Sequence, residues 1–191
     1  MSQPIIQLNN VVKEFTIGGG FAAQDRFKAL QGVSFSLHKG KTLALVGESG
    51  CGKSTCARLI TKVHSATSGE ILFNGNNIEQ IQSRKALLDY RSKVQMVFQD
   101  PFGSLNPTHT IAHHLTRPLK IHKQVKSSHA ISERLSELLD LVELAPDTLE
   151  KYPHQLSGGQ RQRVNLARAL AVGAEVILSL IHISEPTRQV P

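Results

Sequence analysis

The opening stretch "PIIQLNNVVKEF", Pro4 to Phe15, alternates apolar and polar positions weakly and predicts a strand. "GGGFAAQDRF" breaks that pattern and predicts a loop. Alternation returns cleanly in "GVSFSL", Gly32 to Leu37, which sets Val33, Phe35 and Leu37 on one face of a strand. After a turn at Lys39-Gly40 comes "TLALVG", a short apolar run suited to a buried strand. "GEILFNG", Gly69 to Gly75, predicts a strand between glycines. "VQMVFQ", Val94 to Gln99, predicts a buried one after a basic helical stretch.

The period changes beyond Thr110. From there to Leu149 the pattern is helical, and Ile131, Leu135, Leu138, Leu139 and Val142 form an apolar stripe that reads as a core face. "GGQRQRVNLARALAVGA" predicts a further amphipathic helix, with Val164, Leu166, Ala167 and Leu170 inward and its arginines outward. There is no internal repeat. This order of elements describes an α/β domain carrying a helical subdomain.

Composition narrows the picture. A chain of 191 residues with 40% hydrophobic positions holds enough apolar surface for one packed domain with room for a subdomain. No apolar run approaches the roughly 20 residues that span a bilayer. The start, "MSQPIIQLNN", lacks the regions of a signal peptide. Cys51 and Cys56 are the only cysteines, which suits a reducing compartment. The net charge of +7 suits an anionic partner such as a nucleotide, a nucleic acid or a membrane surface. It also suits a scattered solvated surface, and the dispersed Lys and Arg favour that; the densest group, Arg161, Arg163 and Arg168, has helical spacing. With 5% aromatics and no Trp, a stacking platform for single-stranded nucleic acid has little support.

The strongest chemical signal is "GESGCGKST", Gly47 to Thr55, which fits G-x-x-x-x-G-K-[ST]. A buried strand, Thr42 to Val46, is expected to enter it and a helix beginning near Ser54 to leave it. Gly47, Gly50 and Gly52 let the backbone curl so that N–H groups, those of Glu48, Ser49 and Cys51 among them, face phosphate oxygens. The helix start adds partial positive charge. Lys53 is expected to supply a full charge between the terminal phosphates, and the Ser54 hydroxyl can ligate Mg²⁺, with Thr55 beside it. Cys51 at a helix start has the setting of a redox-sensitive thiol, but a small side chain tolerated in a tight loop is the simpler reading. Cys56 reads as a small core residue.

A second candidate anion site is "LSGGQ", Leu156 to Gln160, just before the arginine-bearing helix. Ser157 offers a hydroxyl or a cap, Gly158 and Gly159 expose backbone N–H groups, and Gln160 opens the helix. Taken alone, an N-cap followed by flexible glycines explains it equally well.

The two motifs together resemble the ATP-binding cassette (ABC) ATPases, from about Gln7 to Leu178. Gly47 to Thr55 is similar to their Walker A loop and "LSGGQ" to their signature. Gln99 matches the Q-loop glutamine that senses Mg²⁺. Phe15 falls where the family stacks an aromatic on adenine, with plain core the alternative; Phe21 and Phe27 are weaker candidates. "MVFQDPFGSLNP" and "YPHQLSGGQRQRV" resemble the ATPase subunits of bacterial oligopeptide, dipeptide and nickel importers. The resemblance implies a P-loop NTPase core with an N-terminal antiparallel β subdomain and a helical insert at about 100–156. It implies ATP and Mg²⁺ as cofactors, Lys53 and Gln99 as catalytic residues, and Ser54 and Gln99 as metal-facing residues. It implies a second cassette paired head to tail as homo- or heterodimer, membrane permease subunits, indirectly a solute-binding protein, and no nucleic acid. The location implied is the cytoplasmic face of the inner membrane, held peripherally. Two other classes compete: a soluble ABC ATPase free of any permease, and a non-catalytic nucleotide-binding module. The short segment between Gln99 and the signature argues against the coiled-coil-bearing soluble type.

The tail departs from the family. The family's strand after the signature helix ends in Asp-Glu, and its usual spacing places that pair at Leu180 and Ile181, neither of which binds metal or accepts a proton. Glu185 stands four residues too late, roughly 13 Å along a strand. No D-loop or switch histidine follows, and His182 lies too early. Glu175 to Leu178 is therefore expected to be authentic strand, and 179–191 a non-native tail. "SLIHISEPTR" resembles a translated sequencing-library adapter; a frameshift is the second reading and a diverged working strand the third. The domain 1–178 is then incomplete, and the chain is expected to bind ATP without hydrolysing it.

Overall fold

The computed structural model describes residues 3–17, 25–98, 103–125 and 127–180. The chain divides into two units, Met1–Leu87 and Leu88–Pro191. The first is built on a four-stranded antiparallel sheet of order β2-β1-β3-β4. Its long strands are β1 (Ile6–Ile17) and β2 (Asp25–Leu37), and β3 (Ser68–Phe73) and the short β4 (Asn76–Asn77) complete it. The alternation of Val33, Phe35 and Leu37 survives as half-buried positions between exposed Ser34 and Ser36. β2 starts earlier than its apolar pattern, at Asp25, because Phe27 and Lys28 find antiparallel partners in Phe15 and Glu14. Ladder bonds extend a strand past its hydrophobic register. Ile6, Leu8, Val11, Leu30 and Ile71 are buried in this unit.

Helix α1 (Lys53–Ile60) contributes Cys56, Ala57, Leu59 and Ile60 as buried residues. Cys56 is thus a core residue, and burial pushes its thiol pKa up, away from the reactive thiolate.

The expected strand at Thr42 to Val46 does not form. These residues have no ladder among the described residues, and Leu43, Leu45 and Val46 are 43%, 42% and 83% exposed. An apolar run becomes a buried parallel strand only with hydrogen-bonded neighbours on its edges and cover on its faces. None is supplied to it here.

In the second unit, β5 (Val94–Val97) and β6 (Val176–Ser179) pair in parallel, with Val94 opposite Val176 and Val97 opposite Ser179. β6 runs one residue beyond the expected Leu178 boundary, and the Leu180 N–H still donates to Val97 O at 3.1 Å. Backbone pairing ignores side-chain identity, so a change of sequence texture at Ser179 does not end the ladder. Helix α2 (Arg84–Lys93) precedes β5.

Helices α3 (Ile111–Ile121), α4 (Ser128–Leu141) and α5 (Gly158–Ala171) share one apolar core with Leu115, Leu119, Leu138, Leu139, Val164 and Ala167 at its centre. Thr110 and Ser127 cap α3 and α4 by accepting from His113 N and Ala130 N. The stripe on α4 is the expected core face, with Ile131 at its margin. On α5 the expected division is only partly observed. Leu166 is 37% exposed, while Arg168 turns inward and donates to Ser104 O at 2.6 Å. A guanidinium reaches buried carbonyls through a long apolar stem, and periodicity alone does not reveal that. No described helix is long and apolar enough to cross a membrane.

Candidate functional site

Gly47 to Cys51 form an exposed loop that passes through the buried Gly52 into α1, which begins at Lys53, close to the expected start near Ser54. Gly52 is the N-cap with φ 95° and ψ 2°, a left-handed conformation that L side chains rarely adopt. A Cβ there would lie 2.5 Å from Leu30 Cδ2 and 2.7 Å from Ala29 O, so both dihedral and packing demand glycine. Gly50 is also left-handed, at φ 86°, but a Cβ would meet nothing within 4 Å. Gly52→Ala should therefore both destabilise the unit, by about 2–3 kcal/mol, and deform the loop, whereas Gly50→Ala should bear only the dihedral cost of about 1–2 kcal/mol. Thermal melting of the two variants against the parent checks the order.

The Lys53 ammonium donates to Gly47 O at 2.5 Å and Glu48 O at 2.7 Å, and lies 3.2 Å from Cys51 Sγ. It bridges the loop's own acceptors, holding the curl closed over a point where an anion would bind. Neutral carbonyls are weaker partners for an ammonium than phosphate oxygens, so an oxyanion can draw Lys53 away from them. The first turn of α1 carries no acidic residue, and its backbone N–H groups lack intrahelical acceptors. Ser54 is exposed at the second helical position. A helix start, an ammonium and a hydroxyl form a donor set that fits a polyphosphate, whereas the Cys51 N–H, expected to face phosphate, donates to Glu48 O at 3.3 Å and closes a turn within the loop. Mg²⁺ would reach such a site with the nucleotide, held by phosphate oxygens and the Ser54 hydroxyl; no cluster of described His, Cys, Asp or Glu residues is arranged to hold a metal without it.

Ser157 is the N-cap of α5. Its Oγ accepts from Gln160 N at 3.2 Å, and its own N–H donates to Gln160 Oε1 at 2.9 Å. This reciprocal box uses one lone pair of the Ser157 hydroxyl as acceptor, and the hydroxyl hydrogen takes no part in it. Ser157, Gly158 and Gly159 are all exposed, and neither glycine has anything within 4 Å of a hypothetical Cβ. Cap and exposed donor surface are therefore both present in the same turn. Arg161 Nε donates to Pro153 O at 2.7 Å, tying α5 to the turn that precedes the motif. Helical periodicity predicts Arg161 outward, and nothing in the sequence marks this tie.

Phe15 is half-buried on β1, opposite Phe27, with His64 edge-on at 5.5 Å and the Lys13 ammonium 5.0 Å from its ring centroid. Phe27 is 51% exposed. Gln99 and Phe21 lie outside the described residues.

The ABC transporter family model matches residues 30–179. The chain belongs to this family, as an ATP-binding domain with the ABC type of P-loop NTPase fold. It is 45% identical over 179 residues to the oligopeptide transport ATP-binding protein OppF of Bacillus subtilis (strain 168), covering 94% of this chain and 57% of OppF. It is 40% identical over 180 residues to the dipeptide transport ATP-binding protein DppF of Escherichia coli (strain K12), covering 94% of this chain and 53% of DppF. The chain thus spans little more than half the length of these relatives. Among solved structures, the dimeric bacterial ABC transporter cassette MJ0796 superposes with a TM-score of 0.76 at 30% identity, over 91% of this chain and 72% of that one. A post-hydrolysis state of the same cassette, bound to ADP and Pi, matches with the same TM-score at 29% identity and the same coverage.

Proposed function

We propose that this chain is the ATP-binding part of a bacterial importer for peptides or a related small solute, coupling nucleotide binding to a membrane permease. The observation that carries the reading is the Lys53 ammonium drawn into the curl of Gly47 to Thr55 at the start of α1. Lys53 and the loop amides hold the phosphates, Ser54 faces the metal, and Phe15 offers a ring for adenine. ATP supplies the energy of its terminal phosphoanhydride. Kinship with OppF and DppF supports the solute class.

Ser157, Gly158 and Gly159 act on nucleotide held by a second cassette, in a head-to-tail dimer. Their open surface supports this, since a second helix-start donor set stands in a chain with one phosphate loop. The dimeric cassette similar to this chain is consistent with it. Permease subunits, and through them a solute-binding protein, complete the assembly at the cytoplasmic face of the membrane.

Ser157→Arg tests the arrangement, in a chain carrying the family's catalytic strand. The variant should leave monomer ATP affinity within about twofold of the parent, because its site lies on another helix. It should abolish ATP-dependent dimerisation in sedimentation velocity, because a bulky cation replaces the hydroxyl. Dimers formed with ATP at the parent's concentration dependence would rule out the head-to-tail arrangement.

A further inference from the structure

The second unit contains a cavity of about 310 Å³ between β5, α3 and α5, at the small end of the roughly 300–1,000 Å³ typical of small-molecule sites. Its lining is mixed. Met96, Phe98 and Ile121 supply apolar surface, and Phe98 and Ile121 are about half exposed. Arg117, Asn165 and Arg168 supply polar surface together with His114 and His122, and none of the described lining residues is acidic.

Asn165 is the informative residue. It is 6% exposed, and its Nδ2 is a buried donor without a partner. The amide orientation is set by Arg168, whose Nη1 donates to Asn165 Oδ1 at 3.3 Å and to Ser104 O at 2.6 Å. Turning the amide over would bring two donors together, so Nδ2 keeps its position. A buried amide left unpaired is costly, and Arg168 is itself a half-buried cation that meets no carboxylate among the described residues. Arg117, exposed on α3, adds a second guanidinium at the rim. An acceptor bearing negative charge answers these polar groups, and an apolar body answers Phe98 and Ile121.

We propose that this cavity binds a small carboxylate carried on an apolar body, the carboxylate held by Asn165 and Arg117 and the body by Phe98 and Ile121. Such a site lies on α3 and α5 and uses no residue of the phosphate loop. It would give the chain a ligand-responsive site separate from nucleotide.

Phenylacetate is the probe, titrated calorimetrically into the 191-residue chain at constant ionic strength, with saturation-transfer NMR as the second readout. Binding in the millimolar range is expected, with phenylacetamide, which lacks the charge, and acetate, which lacks the body, each at least about tenfold weaker. Arg117→Gln, at an exposed position, and Asn165→Leu should each weaken phenylacetate about tenfold. Should Asn165→Leu fail to fold, Arg117→Gln decides alone. Lys53→Ala should leave the affinity unchanged. Loss of binding in Lys53→Ala would place the carboxylate in the phosphate loop and overturn the proposal. So would equal affinity for phenylacetate and phenylacetamide, an unaffected Arg117→Gln variant, or no saturation transfer at tens of millimolar.

Discussion

Lys53→Ala should lower ATP affinity by about 10- to 100-fold while barely moving the melting temperature. The two effects separate because of where the ammonium sits. In the free chain its contacts to Gly47 O and Glu48 O are exposed, and exposed hydrogen bonds to neutral carbonyls contribute little net stability. On ATP the same ammonium meets the most concentrated negative charge available, and a charge-assisted bond of about 1.5–3 kcal/mol is lost with it. Lys53→Arg should not restore affinity. Its planar guanidinium is wider than an ammonium and does not fit the space between Gly47, Glu48 and Cys51. Calorimetric titration of ATP into parent and both variants measures this directly. Unchanged affinity in the alanine variant would remove Lys53 from the site.

The second large effect concerns turnover. We propose that the 191-residue chain hydrolyses no measurable ATP, since the spacing implied by the family resemblance puts the metal-binding Asp and water-orienting Glu at positions held by Leu180 and Ile181. Leu180 sits at the end of β6 with its N–H on Val97 O, and a leucine there offers neither ligand nor base. Stability should suffer as well, since Leu43, Leu45 and Val46 stay wet beside the phosphate loop. On the proposal that 179–191 is a non-native tail, a chain in which it is replaced by the genomic continuation after Leu178 should gain soluble yield and ATP turnover together. Turnover by malachite-green assay, with Lys53→Ala as the background, decides the matter. Lys53-dependent hydrolysis by the original chain would mean that a residue such as Glu185 reaches the site, and would refute the assignment.

What could be read directly from the chain was local. The loop at Gly47 to Thr55 is specified by residues adjacent in sequence, because Gly52 must be left-handed at the helix start and Lys53 must follow it. The box at Ser157 and Gln160 likewise closes within one turn, so its motif predicts its hydrogen bonds. Alternation in "GVSFSL" and the stripe on α4 report burial faithfully, because each residue's neighbours on its own element set the face it shows.

Tertiary structure decided whatever depends on groups distant in sequence. "TLALVG" has the composition of a buried strand yet stays exposed, since a strand is made by its edges and an apolar run cannot supply them for itself. Arg168 reads as a surface charge until Ser104 O, a carbonyl 64 residues away along the chain, draws it inward. The orphan amide of Asn165 had no sequence signal at all, because satisfaction of a buried donor is a property of the packed surroundings and never of the residue that carries it.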